Sequence, residues 1–221
     1  MAKLAWDTVG DKTYETGTSK GVLFVQDPLT GTYDAGVAWN GLMGVTQSPD
    51  GAEPTPLYAD NIKYLELTSM ENFKGSIEAY TYPDEFAECD GSKEAAPGLF
   101  VGQQSRAQFA MAYSTIVGND TLGEAYGEKI HIIYAAKVSP SERAHKTIND
   151  SPEAMTFSWD FSTTPQQIAA AGFKPSAYVC VDSSKIAAAK FKAIQDLLYG
   201  TDVKASDLPT IDELITLIKA A

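Results

Sequence analysis

In residues 155–165, MTFSWDFSTTP, large apolar and polar side chains alternate from Met155 to Ser162. Met155, Phe157, Trp159 and Phe161 fall on one side, and Thr156, Ser158, Asp160 and Ser162 on the other. Successive side chains of a strand point to opposite faces, so the stretch reads as a strand with two different surfaces. One wants a core and the other wants water or a polar partner.

The same pattern recurs along the middle of the chain. KYLELTS (63–69) sets Leu65 and Leu67 against Tyr64, Glu66 and Thr68, and KGSIEAYTYP (74–83) sets Ile77 and Ala79 against Ser76, Glu78 and Tyr80. AQFAMAYSTIVG (107–118) alternates Phe109, Met111 and Tyr113 with Gln108, Ala112 and Ser114. EKIHIIYAAKVSP (128–140) opposes Ile130, Ile132 and Tyr134 to Lys129, His131 and Lys137. GVLFVQD (21–27) and SAYVCVD (176–182) are further strand candidates. Short strands separated by turn residues predict a mainly β chain, a β-sandwich or a barrel-like sheet system.

Two regions depart from that pattern. Residues 27–56 are dense in Gly, Pro, Asp and Thr, with turn signals at DP, TG, DAG, NG and SPDG. They read as one long excursion, with a hairpin around YDAGVAWNGLMGV. Loops of this length tend to be functional or ordered by a partner. The other region is helical. PDEFAECDG (83–91) reads as one short helical turn begun by Pro83 and closed by Gly91. From 183 to 221 the period changes: Ala187, Phe191, Ile194 and Leu198 repeat at helical spacing up to Gly200. A Thr210-x-x-Glu213 capping box after Pro209 then opens a second helix carrying Leu214, Leu217 and Ile218. The expected organisation is a single domain over 1–221 with a short central helix and two C-terminal helices.

Charge and motif content narrow the function classes. Seventeen basic against 29 acidic residues give a net charge of −12, which argues against a binder that neutralises phosphates. MAKLAWDTVGDK has no apolar core of a secretory signal, and runs such as IHIIYAA are too short to span a bilayer, so no membrane anchor is expected and synthesis in a cytoplasm is the default. Without such a signal, Cys89 and Cys180 read as reduced, small hydrophobes. Neither cysteine forms a zinc spacing with His131 or His145, no EF-hand, phosphate-loop or nucleophile-elbow motif occurs, and neither histidine has catalytic company. The acids Asp84, Glu85 and Glu88 read as solvated helix charges, and the aromatic stripes as sheet core. No catalytic residue, cofactor site or metal site is expected, and the chain does not read as an enzyme.

Three segments together carry a family likeness: PLYADNIKYLEL (56–67); the run from KGSIEAYTYPDEFAECDG through GEKIHIIYAAKVSPSERAHKTIND to MTFSWDFSTTP; and DLLYGTDVKASDLPTIDELITLI (196–218), with its LYGT-x6-LP-x-x-D-E-L arrangement. Over residues 56–218 the chain resembles the major tail proteins that build the tail tube of long-tailed bacteriophages, in particular the non-contractile siphophage type. The resemblance implies a β-sandwich-like subunit assembling as stacked hexameric rings, whose strands complete an inter-subunit β-barrel. The resulting virion tail tube is the conduit for genome ejection, and the phage DNA passes through it without specific binding. The implied partners are further copies of the chain, the tape measure protein, the tail terminator and the distal tail protein.

Under that reading, Glu66, Glu78, Ser158 and Asp160 on polar strand faces are candidate lumen-facing residues. Asp27, Trp39, Leu42 and Met43 in the turn-rich excursion are candidate inter-ring contacts. A hexameric ring would carry about −72, a lumen on which DNA slides rather than sticks. Two alternatives stay open: a β-sandwich carbohydrate-binding module using exposed Tyr and Trp, and a glycan-degrading enzyme using an Asp/Glu pair across a cleft.

Overall fold

The computed structural model describes residues 3–148, 150 and 153–220. Asn149, at the end of the SERAHKTIND stretch, and Ala221, the last residue of the expected helical segment, lie outside the described residues. The chain opens with a long strand, β1 (Thr13–Val25), whose second half is the expected apolar run. Two short strands, β2 (Val37–Trp39) and β3 (Leu42–Gln47), follow on either side of Asn40 and Gly41. The chain then runs out into an arm: β4 (Asp50–Gly51), β5 (Pro54–Ala59), β6 (Ile62–Thr68) and β7 (Glu71–Asn72). It returns through β8 (Lys74–Ala79), the one-turn helix α1 (Phe86–Cys89) and a small hairpin of β9 (Lys93–Ala96) and β10 (Leu99–Val101). Strands β11 (Phe109–Asn119), β12 (Gly123–Val138), β13 (Phe157–Thr163) and β14 (Tyr178–Asp182) lead to helices α2 (Ala188–Tyr199) and α3 (Ile211–Lys219).

Eight strands form one open antiparallel sheet in the order β2-β1-β11-β12-β13-β8-β3, with β14 attached to β12. The two ends of that order, β2 and β3, are neighbours in sequence, joined by only Asn40 and Gly41. The sheet therefore curls until its ends meet, and a Cβ at Gly21 of β1 would sit 3.0 Å from Leu42 of β3. The expected hairpin is thus a corner: β2 pairs with β1, and β3 pairs with β8.

β12 serves two neighbours along one edge. Residues 129–133 pair with β14, and residues 136–138 pair with β13. Between them Ala135 adopts a positive φ of 45°, and the register with β11 slips there by one residue. The bulge inverts the alternation. Ile130, Ile132 and Tyr134 share the outer face, but so does Lys137, which strict alternation puts opposite them.

Each face of the curled sheet has its own core. Inside, Leu23, Trp39, Ile77, Phe109, Met111, Ile133, Trp159 and Phe161 pack together, and α1 plugs the opening with Phe86. Outside, Phe24, Ala110, Ile130, Ile132 and Tyr134 lie beneath Phe191, Ile194 and Leu198 of α2 and Ile211 and Leu214 of α3. β11 and β12 are thus apolar on both faces, and each large side chain so buried contributes about 1.5–3 kcal/mol. Gly75 marks the tightest approach between strands: a Cβ there would lie 2.1 Å from the Thr46 carbonyl oxygen and 2.7 Å from the Phe161 ring.

The helix ends follow the sequence signals. Thr210 and Glu213 close the reciprocal capping box of α3. Gly200 ends α2 at a φ of +75°, a conformation that favours glycine. α2 starts at Ala188 rather than 183, because Asp182 accepts from the Ser184 N–H and caps a separate short turn over Ser183–Lys185.

Candidate functional site

The helices cover only part of the outer sheet face. Over β1, β11 and β12 the face is apolar and roofed by α2 and α3, whereas over β13, β8 and β3 it is polar and open. Three of the residues picked from sequence meet on that open part. Ser158 sits opposite Glu78 in the β13–β8 ladder, and Asp160 sits opposite Ser76. Thr46 of β3 adds to the row beside Ser76, and Lys137 of β12 beside Ser162 closes it at the other side. The face carries hydroxyl and acidic side chains, with Lys137 at its edge. Glu66 is elsewhere: it lies on the arm, ion-paired with Lys63.

The turn-rich segment does not form a single excursion. Asp27 closes its own turn, accepting from Leu29 N–H and Thr30 Oγ1, and those bonds hold its carboxyl below the usual range. Trp39 is packed in the inner core, with its Nε1–H donated to the Thr81 carbonyl at 3.0 Å, and Leu42 packs against the same core. Met43 is the one residue of the four candidates with an exposed apolar side chain. Residues 37–47 are sheet because the curl needs two edge strands there.

The projecting element is the arm at 48–73. β5 pairs only with β6, and β4 only with β7. The link between β5 and β6 is Asp60-Asn61, both at positive φ (51° and 64°), the combination that a tight type I′ hairpin demands. The alternation of Leu65 and Leu67 against Tyr64 and Glu66 is present, but neither face is covered. Leu57, Tyr58, Ile62, Tyr64, Leu65 and Leu67 are all exposed. Such a two-stranded ribbon is marginal by itself in water, and so many exposed apolar side chains on one short element point to an interaction surface. The signal in the sequence was the two-residue Asp-Asn turn between strands with apolar residues on both faces.

Sequence reasoning also missed a polar cluster at one end of the inner face. There His131 is buried between Tyr113, stacked at 4.8 Å, and Tyr178. Thr115 Oγ1 donates to Glu15 at 2.7 Å, so its oxygen is left to accept from His131 Nε2–H at 2.9 Å. The other ring nitrogen, Nδ1, then accepts the Tyr178 hydroxyl at 2.7 Å. Burial pushes His131 below its ordinary pKa, against the pull of Glu15. Burial pushes Glu15 up, but hydrogen bonds from Lys129 and Thr115 outweigh it and keep the carboxylate ionised. In this chain of donors the imidazole gives its proton to the threonine, the opposite of what a base activating a nucleophile does. The cluster is a satisfied structural network.

Cys89 is buried and its thiol is pushed up to about 12 by burial, while Cys180 on β14 is exposed as a residue and only partial desolvation of its thiol raises its pKa. Among the described residues no group of three or more His, Cys, Asp or Glu could hold a metal ion. Among the same residues no helix is long and apolar enough to cross a membrane. Compared with protein-family models the chain matches none, and no curated protein sequence matches it significantly.

Proposed function

We infer that this chain is a self-assembling structural subunit of a phage tail tube. The observation that carries the reading is the arm, a hairpin with six exposed large apolar residues that nothing among the described residues covers. A chain that stays monomeric gains nothing from such an element and risks aggregation, whereas a chain that polymerises covers it with the next copy. The arm therefore takes the inter-ring role that the sequence assigned to residues 27–56.

Two further features support a hollow assembly. The open polar face of β3, β8 and β13 suits the inside wall of a water-filled tube, with Glu78, Ser158 and Asp160 toward the lumen. The net charge of −12 per copy, repeated around a hexameric ring, disfavours phosphate binding on that wall. In this reading the tape measure protein, the tail terminator and the distal tail protein meet the tube, and the finished protein resides in the virion tail. The likeness at 56–218 supports the phage assignment. Shortening the arm by removing residues 54–68 tests the reading. The rest of the chain is expected to fold with its near-ultraviolet signature intact and to lose the ability to form tubes; tubes of full length from the shortened chain would refute it.

A further inference from the structure

Arginine is scarce in this chain: Arg106 and Arg143 are the only two, beside fifteen lysines. Both converge on the end of α1. The Arg106 side chain passes 3.3 Å from where a Cβ on Gly91 would sit, and Arg143 pairs with the carboxylate of Asp90. The Asp90 side chain is only 9% exposed. The Arg143 guanidinium carbon lies 5.6 Å from the ring centroids of both Tyr82 and Phe157.

The rings and the carboxylate of this corner are also held by contacts that do not involve Arg143. Tyr82 and Phe157 meet edge to face at 5.3 Å, and each also packs on the buried Trp159. Asp90 is fixed by its own N–H, which donates to the Phe86 carbonyl at 3.0 Å. A buried carboxylate beside two ring faces matches a planar, weakly hydrated cation better than a compact ammonium. The corner also opens into a cleft of about 400 Å3 that Thr81, Ser92 and Phe100 help to line.

The occupant is held much less firmly than the corner. Residues 140–148 have no helix or strand, and among the described residues their one polar side-chain contact with the body is Arg143 to Asp90. A second cleft of about 640 Å3 separates 144–148 from 153–156 and Tyr80. We propose that Tyr82, Phe157 and Asp90 form a guanidinium-binding site, filled here by the chain's own Arg143 and open to an arginine side chain of a second polypeptide once Arg143 withdraws. Segment 140–148 is then a strap that competes with that arginine. The site does not depend on the tube reading.

The test uses ethylguanidinium as the probe and the whole chain with Arg143→Ala. Titration calorimetry is expected to give saturable 1:1 binding to this variant. Binding at least tenfold weaker is expected for the unaltered chain, for Arg143→Ala combined with Asp90→Asn, and for ethylammonium on Arg143→Ala. No saturable binding to folded Arg143→Ala, or equal affinity for the unaltered chain, would overturn the proposal. Should Arg143→Ala fail to fold, an arginine-specific protease supplies the readout. Cleavage after Arg143 is expected to accelerate at least tenfold in Asp90→Asn, and to accelerate in the unaltered chain when ethylguanidinium is added. Equal cleavage rates in these samples would overturn it as well.

Discussion

Leu57 and Leu65 face each other across the β5–β6 ladder, yet they remain 42% and 38% exposed. Cross-strand leucines usually meet a third layer, and among the described residues none covers this pair. Replacing both with Ser is expected to change the stability of the body by less than about 1 kcal/mol, the range of substitutions outside a core. Assembly is expected to fail. Thermal unfolding and sedimentation of the double variant measure the two effects separately, and normal assembly would show that this face of the arm is not buried against a neighbour.

Trp159 has the opposite surroundings. It is fully buried, 5.1 Å from Phe86 and 5.9 Å from Trp39, ring centre to ring centre. Trp159→Ala is expected to cost about 3–5 kcal/mol by removing a core indole. Denaturant unfolding measures it, and a loss under about 1 kcal/mol would contradict the inner-core assignment.

His131 gives the fold a pH dependence. The groups facing it are Glu15 of β1, Tyr113 and Thr115 of β11, Lys129 of its own strand and Tyr178 of β14. Its folded pKa lies below the unfolded value of 6.5, so between the two the unfolded chain binds more protons. Stability therefore rises with pH through that window, is fully present above 6.5, and is lost as pH falls toward the folded value. Chemical denaturation between pH 7.5 and about 5 is expected to show this slope. His131→Gln is expected to flatten it; an unchanged slope would assign the effect to other groups.

Glu78 and Asp160 lie on the open polar face, so changing both to Lys shifts each copy by four charges with little cost to folding, a few tenths of a kcal/mol. If that face lines a channel, tubes still form, but genome release slows in a salt-dependent way because phosphate contacts now attract. Release from particles carrying the variant, at low and high salt, measures this. Unchanged release at both salts would place the residues on the outer wall.

How far the sequence could be read depended on whether a pattern was local. The strand at 157–163 and the cap at Thr210 and Glu213 are decided by neighbours within a few residues, and they stand as expected. The curl that buries Trp39 and Leu42 depends on which distant strands β2 and β3 pair with, and turn residues at 27–56 carry no trace of that. The bulge at Ala135 is equally silent, since alanine gives no warning of a positive φ. The arm misled in a different way: Leu65 and Leu67 alternate as core residues do, and period alone does not tell a covered face from one awaiting a neighbour. On the polar face, Glu78, Ser158 and Asp160 came together because two sequence-legible strands pair in register. Glu66 did not, because its strand left the sheet.

The most direct test of self-assembly is electron microscopy of the purified chain over a rising concentration series, alongside the Leu57→Ser, Leu65→Ser variant. Self-assembly through the arm predicts hollow tubes of stacked rings, sixfold when viewed end-on, from the unaltered chain, and only dispersed subunits from the variant. A unaltered chain that stays monomeric at every concentration, or tubes that form equally well from the variant, would contradict it.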